Sequence, residues 1–258
     1  MKTTFASGAV LFLLTALAAP AQDSRPDSRI DFDAEYERLV EEARVAEEEF
    51  YRPFREAKSD EERRKIPFDF SRNPVQGFVP KLRDLATRAR GTPAGLRATL
   101  WVLHQDPKPS KAEGEAMLKD VVEAYLDRPE LEQLADALSW RGRALPQAAV
   151  DATLKTLAEK SPHASVRAAA WFAVAARLGV GKPTEASKAE RRAILDRLVK
   201  EYGATAAGAR AQGEIFEVER LQIGMVAPDH EAVDQHGVAW KLSDYRGKVV
   251  VVDFWGYW

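Results

Sequence analysis

Cysteine is missing from all 258 residues. That absence removes disulfides, thiolate metal ligands and thiol nucleophiles together, so packing alone must hold the fold. Charge imbalance is missing too: 38 Lys and Arg against 40 Asp and Glu leave a formal net charge of -2, which gives no electrostatic reason to expect nucleic acid as a partner. Histidine is scarce, and His104, His163, His230 and His236 include no pair at the helix-face spacing of three or four that would place two ligands on one metal. His104 near a helix end, His163 after a proline and His236 in a turn read as structural residues, so no metal is expected. There is no phosphate-binding glycine loop, dinucleotide fingerprint or nucleophile elbow, and no cofactor is expected either.

Long apolar runs are confined to the beginning. Residues 9–19 form one, preceded by Lys2 and followed by Ala19-Pro20-Ala21, a small-x-small cleavage site. The run is about half the roughly 20 residues that cross a bilayer, so residues 1–21 read as a cleaved export signal and not a membrane span. The expected product is soluble and periplasmic or extracellular, cut near Ala21.

What the chain has is helical periodicity. Residues 22–30 are polar and read as a disordered leader, after which residues 31–220 read as an α-helical domain. Phe32, Tyr36, Leu39, Ala43, Ala46 and Phe50 alternate steps of four and three, which puts them on one stripe of a long helix. Pro53 is expected to kink or split it. Further helices are predicted at 81–89, 93–104, 111–126, 130–141, 146–159, 164–178, 188–201 and 204–221, separated by Ser, Pro and Gly signals short enough to make neighbours antiparallel. The helix at 164–178 is apolar on nearly every side and belongs in the middle of the stack.

A local phrase recurs in three of these helices: Leu96-Arg97-Ala98 with Trp101, Val166-Arg167-Ala168 with Trp171, and Ala209-Arg210-Ala211 with Ile215. The spacing is irregular, so the domain loosely resembles a degenerate array of helical hairpins of the HEAT or tetratricopeptide kind. Such arrays present concave surfaces to protein partners, which makes an exported, repeat-like interaction module one reading of the chain. Trp101 and Trp171, at helical spacing, are expected in the core rather than at a binding surface.

After residue 221 the helical stripe ends. Residues 231–241 read as two short strands around Gln235-His236-Gly237, with glycine supplying the positive φ of a hairpin turn, and Leu242 to Gly247 reads as one helical turn closed by glycine. Val249-Val250-Val251-Val252 then lacks polar alternation, as a strand covered on both faces does. Such a strand needs a neighbour on each edge, and parallel neighbours need crossovers of a dozen or more residues. The expectation is a domain cut short.

The stretch Ile223-Gly224-Met225-Val226-Ala227-Pro228-Asp229, followed by His236-Gly237 and by Leu242-Ser243-Asp244-Tyr245-Arg246-Gly247-Lys248 leading into residues 249–258, closely resembles the start of a redoxin domain. The relatives are exported thiol-disulfide oxidoreductases of the thioredoxin superfamily and the related peroxiredoxins. The resemblance implies a mainly α domain joined to the incomplete start of an α/β thioredoxin-like domain over residues 221–258. It further implies a redox or antioxidant role, with thiol and disulfide proteins as substrates of the full-length relative. In that family the phrase ending in aromatic-Gly-x-Trp is followed by Cys-x-x-Cys at a helix N-terminus, where the dipole lowers the first thiol's pKa. Asp253 matches the family's buried acid, and Trp255 and Trp258 match aromatics flanking the cysteine pair. No catalytic cysteine is present, so this chain by itself is expected to be redox-inactive. His230 stands where relatives carry an aromatic residue.

Overall fold

The computed structural model describes residues 31–253, apart from 68, 70, 71, 107, 108 and 141–143. The export signal and leader expected over residues 1–30 lie outside the described residues, as do Trp255 and Trp258.

The first helix, α1 (Phe32–Glu56), carries the predicted stripe inward, with Leu39 and Ala43 buried and its other members half-buried. It runs through Pro53, in its last turn, without being split there. A short helix α2 (Asp60–Lys65) follows, capped by the Ser59 hydroxyl, and a 3-10 turn (Pro74–Phe78) leads into α3 (Val79–Arg88) and α4 (Pro93–Gln105). Then come α5 (Lys111–Tyr125), α6 (Leu131–Trp140), α7 (Gln147–Lys160), α8 (Ala164–Leu178), α9 (Glu185–Tyr202) and α10 (Ala206–Arg220). The predicted boundaries shift by a few residues at most, since caps such as Ser110, Thr184 and Thr205 accept from backbone N–H groups and define the starts.

Three apolar clusters organise the helices. One joins α1, α3 and α4 through Leu39, Leu82, Leu85 and Val102. The largest joins α4 to α8 around Leu118, Tyr125, Leu134, Leu154 and Leu157. The third joins α8, α9 and α10 through Phe172, Leu195, Leu198 and Ala211. Helix α8 gives Val166, Ala169 and Ala173 to the second cluster and Ala168, Phe172 and Ala175 to the third. Its two opposite faces are therefore both interior, which is why its composition is apolar all round.

The recurring Arg phrase has a packing role that its spacing did not disclose. Each arginine lies over an aromatic ring of a neighbouring helix: Arg97 over Tyr36 at 4.4 Å, Arg167 over Tyr202 at 6.0 Å and Arg210 over Phe172 at 4.1 Å. Two of them are also held by acids, Arg97 by Asp33 and Glu37, and Arg210 by Asp136 at 2.7 Å. The starts of α4 and α10 share a second device. Thr92 and Thr205 cap the amides of Gly95 and Gly208, and a Cβ on either glycine would come within 2.2 Å or 2.1 Å of the preceding turn's carbonyl oxygen. Only glycine permits that approach.

Trp101 and Trp171 are half-buried rather than fully internal. Trp101 packs on the first cluster, and Trp171 bridges the second and third with the Arg197 guanidinium 4.9 Å above its ring. Tyr125 is fully buried, and its hydroxyl accepts from the Gly91 N–H at 2.9 Å, tying α5 to the α3–α4 turn. Burial pushes its phenol pKa up. No described helix is long and apolar enough to cross a membrane.

Candidate functional site

The motif-bearing segment begins where α10 ends. Strands β1 (Glu231–Val233) and β2 (Ala239–Lys241) pair antiparallel, with Ala232 opposite Trp240. The turn between them is built by Asp234, whose carboxylate accepts from the amides of His236 at 2.8 Å and Val238 at 2.9 Å. Gly237 takes φ of 80°, as the hairpin reading requires. Trp240 sits edge-to-face with His230 at 6.0 Å and with Tyr245 at 6.2 Å, so His230 packs as an aromatic ring.

A single carboxylate closes the segment. Asp229 accepts the Ser243 amide at 2.8 Å and the Ser243 hydroxyl at 2.7 Å, which joins the residues before β1 to the 3-10 turn (Leu242–Tyr245) after β2. The His230 amide donates to it as well, at 3.1 Å. Those donors, the Ser243 hydroxyl first, hold the Asp229 carboxyl below its ordinary range. The sequence places Asp229 and Ser243 in one motif series, and the structure adds the contact between them. An Asp followed by Ser-Asp directly after a strand was the available signal.

Beyond this clasp, the predicted strand does not form. Residues 249–252 take no strand conformation, and Val249, Val250, Val251 and Val252 are 97%, 43%, 88% and 58% exposed. No described strand lies alongside to complete a ladder, and without one an apolar β-run has nothing to bond to. Asp253 is likewise exposed, so the burial implied for it is not present. It is not brought together with any described catalytic group.

Two of the histidines hold structural positions. His163 Nε2 is 2.8 Å from the Asp127 carbonyl oxygen, and the backbone N–H of His236 belongs to the hairpin turn. Among the described residues, no three His, Asp or Glu side chains gather to hold a metal. With no thiol in the chain, neither nucleophile nor resolving group for disulfide exchange is at hand.

The helices offer a second kind of site. A cleft of about 410 Å³ between α1, α4 and α6 is lined by Tyr36, Arg97, Trp101, His104, Glu130 and Gln133, over a floor of leucines. Its Arg97 lies over Tyr36 and pairs with Asp33 and Glu37.

No family model matches the chain, and no solved structure matches it. Short matches are found to curated thiol-disulfide oxidoreductases named ResA. The protein of Bacillus thuringiensis subsp. konkukian (strain 97-27) is 38% identical over 47 residues, covering 18% of this chain and 27% of its own length. That of Bacillus anthracis is 40% identical over 47 residues, with the same coverage. That of Geobacillus kaustophilus (strain HTA426) is 45% identical over 42 residues, or 16% of this chain and 24% of the relative. The chain thus spans about a quarter of the length of the curated relatives it matches. The likeness supports a thioredoxin-like relationship for a short part of the chain.

Proposed function

We propose that residues 221–258 open a redoxin domain of the thioredoxin superfamily, joined to a helical domain of residues 31–220 in a protein exported by residues 1–21. The activity of the complete domain is thiol-disulfide exchange on protein substrates. Its cysteine pair lies outside these 258 residues, so this chain alone does not perform the exchange. In the complete domain Asp253 is the buried acid beside the cysteine pair, and Trp255 and Trp258 flank it.

The observation that carries this reading is the ordered series of redoxin motifs from Ile223 to Lys248, together with 38% to 45% identity to the ResA proteins. The Asp229–Ser243 clasp supports it, because it ties the start of that motif series to its later part. A chimera tests it: this chain through Trp258 is fused to the remainder of the Geobacillus kaustophilus ResA, and reduction of insulin disulfides is followed. The expected result is a folded chimera with activity, beside an inactive parent chain. A chimera that stays inactive while intact ResA reduces insulin overturns the proposal.

The alternative reading is an exported helical interaction module. It is favoured by the distribution of burial, since every buried residue described lies between Leu39 and Ala211. It requires that a chain ending at Leu221 bind the same exported protein as the whole chain does. A pull-down in which the helices return nothing counts against it.

A further inference from the structure

The recurring phrase of α4 and α8 ends on a tryptophan in each helix, and the two tryptophans differ in one respect. Trp171 carries the Arg197 guanidinium 4.9 Å above its ring. Trp101 is half-buried as well, yet among the described residues no cation lies over its ring. It stands in the wall of the cleft between α1, α4 and α6. That cleft, of about 410 Å³, falls within the range of about 300–1,000 Å³ typical of small-molecule sites.

The charge around the cleft suits a cation. Arg97 is the lining's one arginine or lysine, and both its Nη atoms are taken, one by Glu37 and the other by Asp33. Glu130 also lines the cleft and has no ion pair among the described residues. One arginine is thus set against three acids, and the surplus is negative. Gln133, one turn further along, adds an amide oxygen to the same side. The floor is apolar, made by Leu100, Leu103, Leu134 and Ala137.

We propose that this cleft binds a small organic ammonium ion, with its charge over the Trp101 indole and beside Glu130 and its apolar body on the leucine floor. An indole face attracts a cation through its quadrupole, as Trp171 already does with Arg197. A carboxylate ligand would meet the acid surplus, and a neutral ligand forgoes both attractions. A lysine on a protein carries the same ammonium group, but it would bring backbone amides onto a floor that has no partner for them.

The test is an NMR titration of hexylammonium chloride into the full chain, read at the Trp101 indole N–H and the Gln133 and Ala137 amides. Methylammonium, hexan-1-ol and hexanoate serve as the charge-only, tail-only and reversed-charge probes, and a capped Gly-Lys-Gly peptide as the protein-borne ammonium. Hexylammonium is expected to shift those resonances saturably and the other four to bind more weakly. Trp101→Leu, read at the two amides, is expected to weaken hexylammonium by about fivefold, the usual weight of a cation over an indole. Glu130→Gln is expected to weaken it by about threefold, as for a solvent-exposed ion pair. Glu130 is exposed and outside the core, so the result does not hang on the folding of the tryptophan variant. Circular dichroism checks that each variant stays helical. Absence of a saturable shift, equal binding of hexan-1-ol or hexanoate, tighter binding of the peptide, or unchanged affinity in the folded variants overturns the proposal.

Discussion

Val150 in α7 is fully buried, whereas Val251, in a run of four valines, is 88% exposed. The residue type is the same and the local sequence around Val251 is the more apolar, yet burial goes the other way. What differs is the second layer. Helix α7 meets α5 and α8, each of which presents an apolar face, while the valine run has no described strand beside it. Hydrophobicity states a demand for cover, and only a neighbouring element meets it. The helices therefore rest on side-chain burial, and the segment after them rests on hydrogen bonds accepted by the carboxylates of Asp229 and Asp234.

The comparison is broken most directly at Leu157, a fully buried member of the largest cluster. Leu157→Ala is expected to destabilise the helices by about 3 kcal/mol, the usual loss for a buried leucine whose cavity stays open, read from urea unfolding by circular dichroism at 222 nm. Next comes Tyr125→Phe, which leaves the Gly91 N–H without its acceptor. A loss of about 1–2 kcal/mol in the same unfolding experiment is expected, with no change in the hairpin.

Asp229→Ala is expected to act only on the other region, speeding exchange of the Ser243 amide while the helical melt stays in place. The pH dependence follows with a definite sign. Asp229 has a folded pKa below its ordinary value, so its contribution is complete above the ordinary carboxylate range of about 3.9 and is lost as pH falls through the lowered pKa. Acid should release the clasp, seen as loss of the Ser243 amide's distinct NMR shift. Retention of that shift in Asp229→Ala would remove the clasp from the account. The smallest effect is expected from Val251→Ala, within about 0.5 kcal/mol of the parent because an exposed side chain has little burial to lose. A larger change in the urea midpoint would show that the valine run is covered after all.

The helices were legible in advance because their signals are local. Stripe spacing at Phe32 to Phe50, the cap at Ser110 and glycine at 237 each act within a few residues. Pro53 was expected to kink or split α1, and the helix continues past it unsplit. The valine run misled in another way: its composition describes a buried strand and is silent on whether a partner strand is present. Of the candidate site, the order of motifs was readable, but the pairing of Asp229 with Ser243 was not, since it joins residues on either side of a hairpin.

By itself the sequence determined that the middle of this protein is helical, that a hairpin follows, and that no thiol chemistry is available within these residues. Those outcomes depend on backbone geometry near each residue and on which side chains are present at all. The tertiary structure decided which arginine lies over which ring, that Tyr125 serves Gly91, and that α8 is interior on two faces. Each of those contacts brings together residues far apart in the chain, and the register in which helices meet is set by the packing of whole faces rather than by any short phrase.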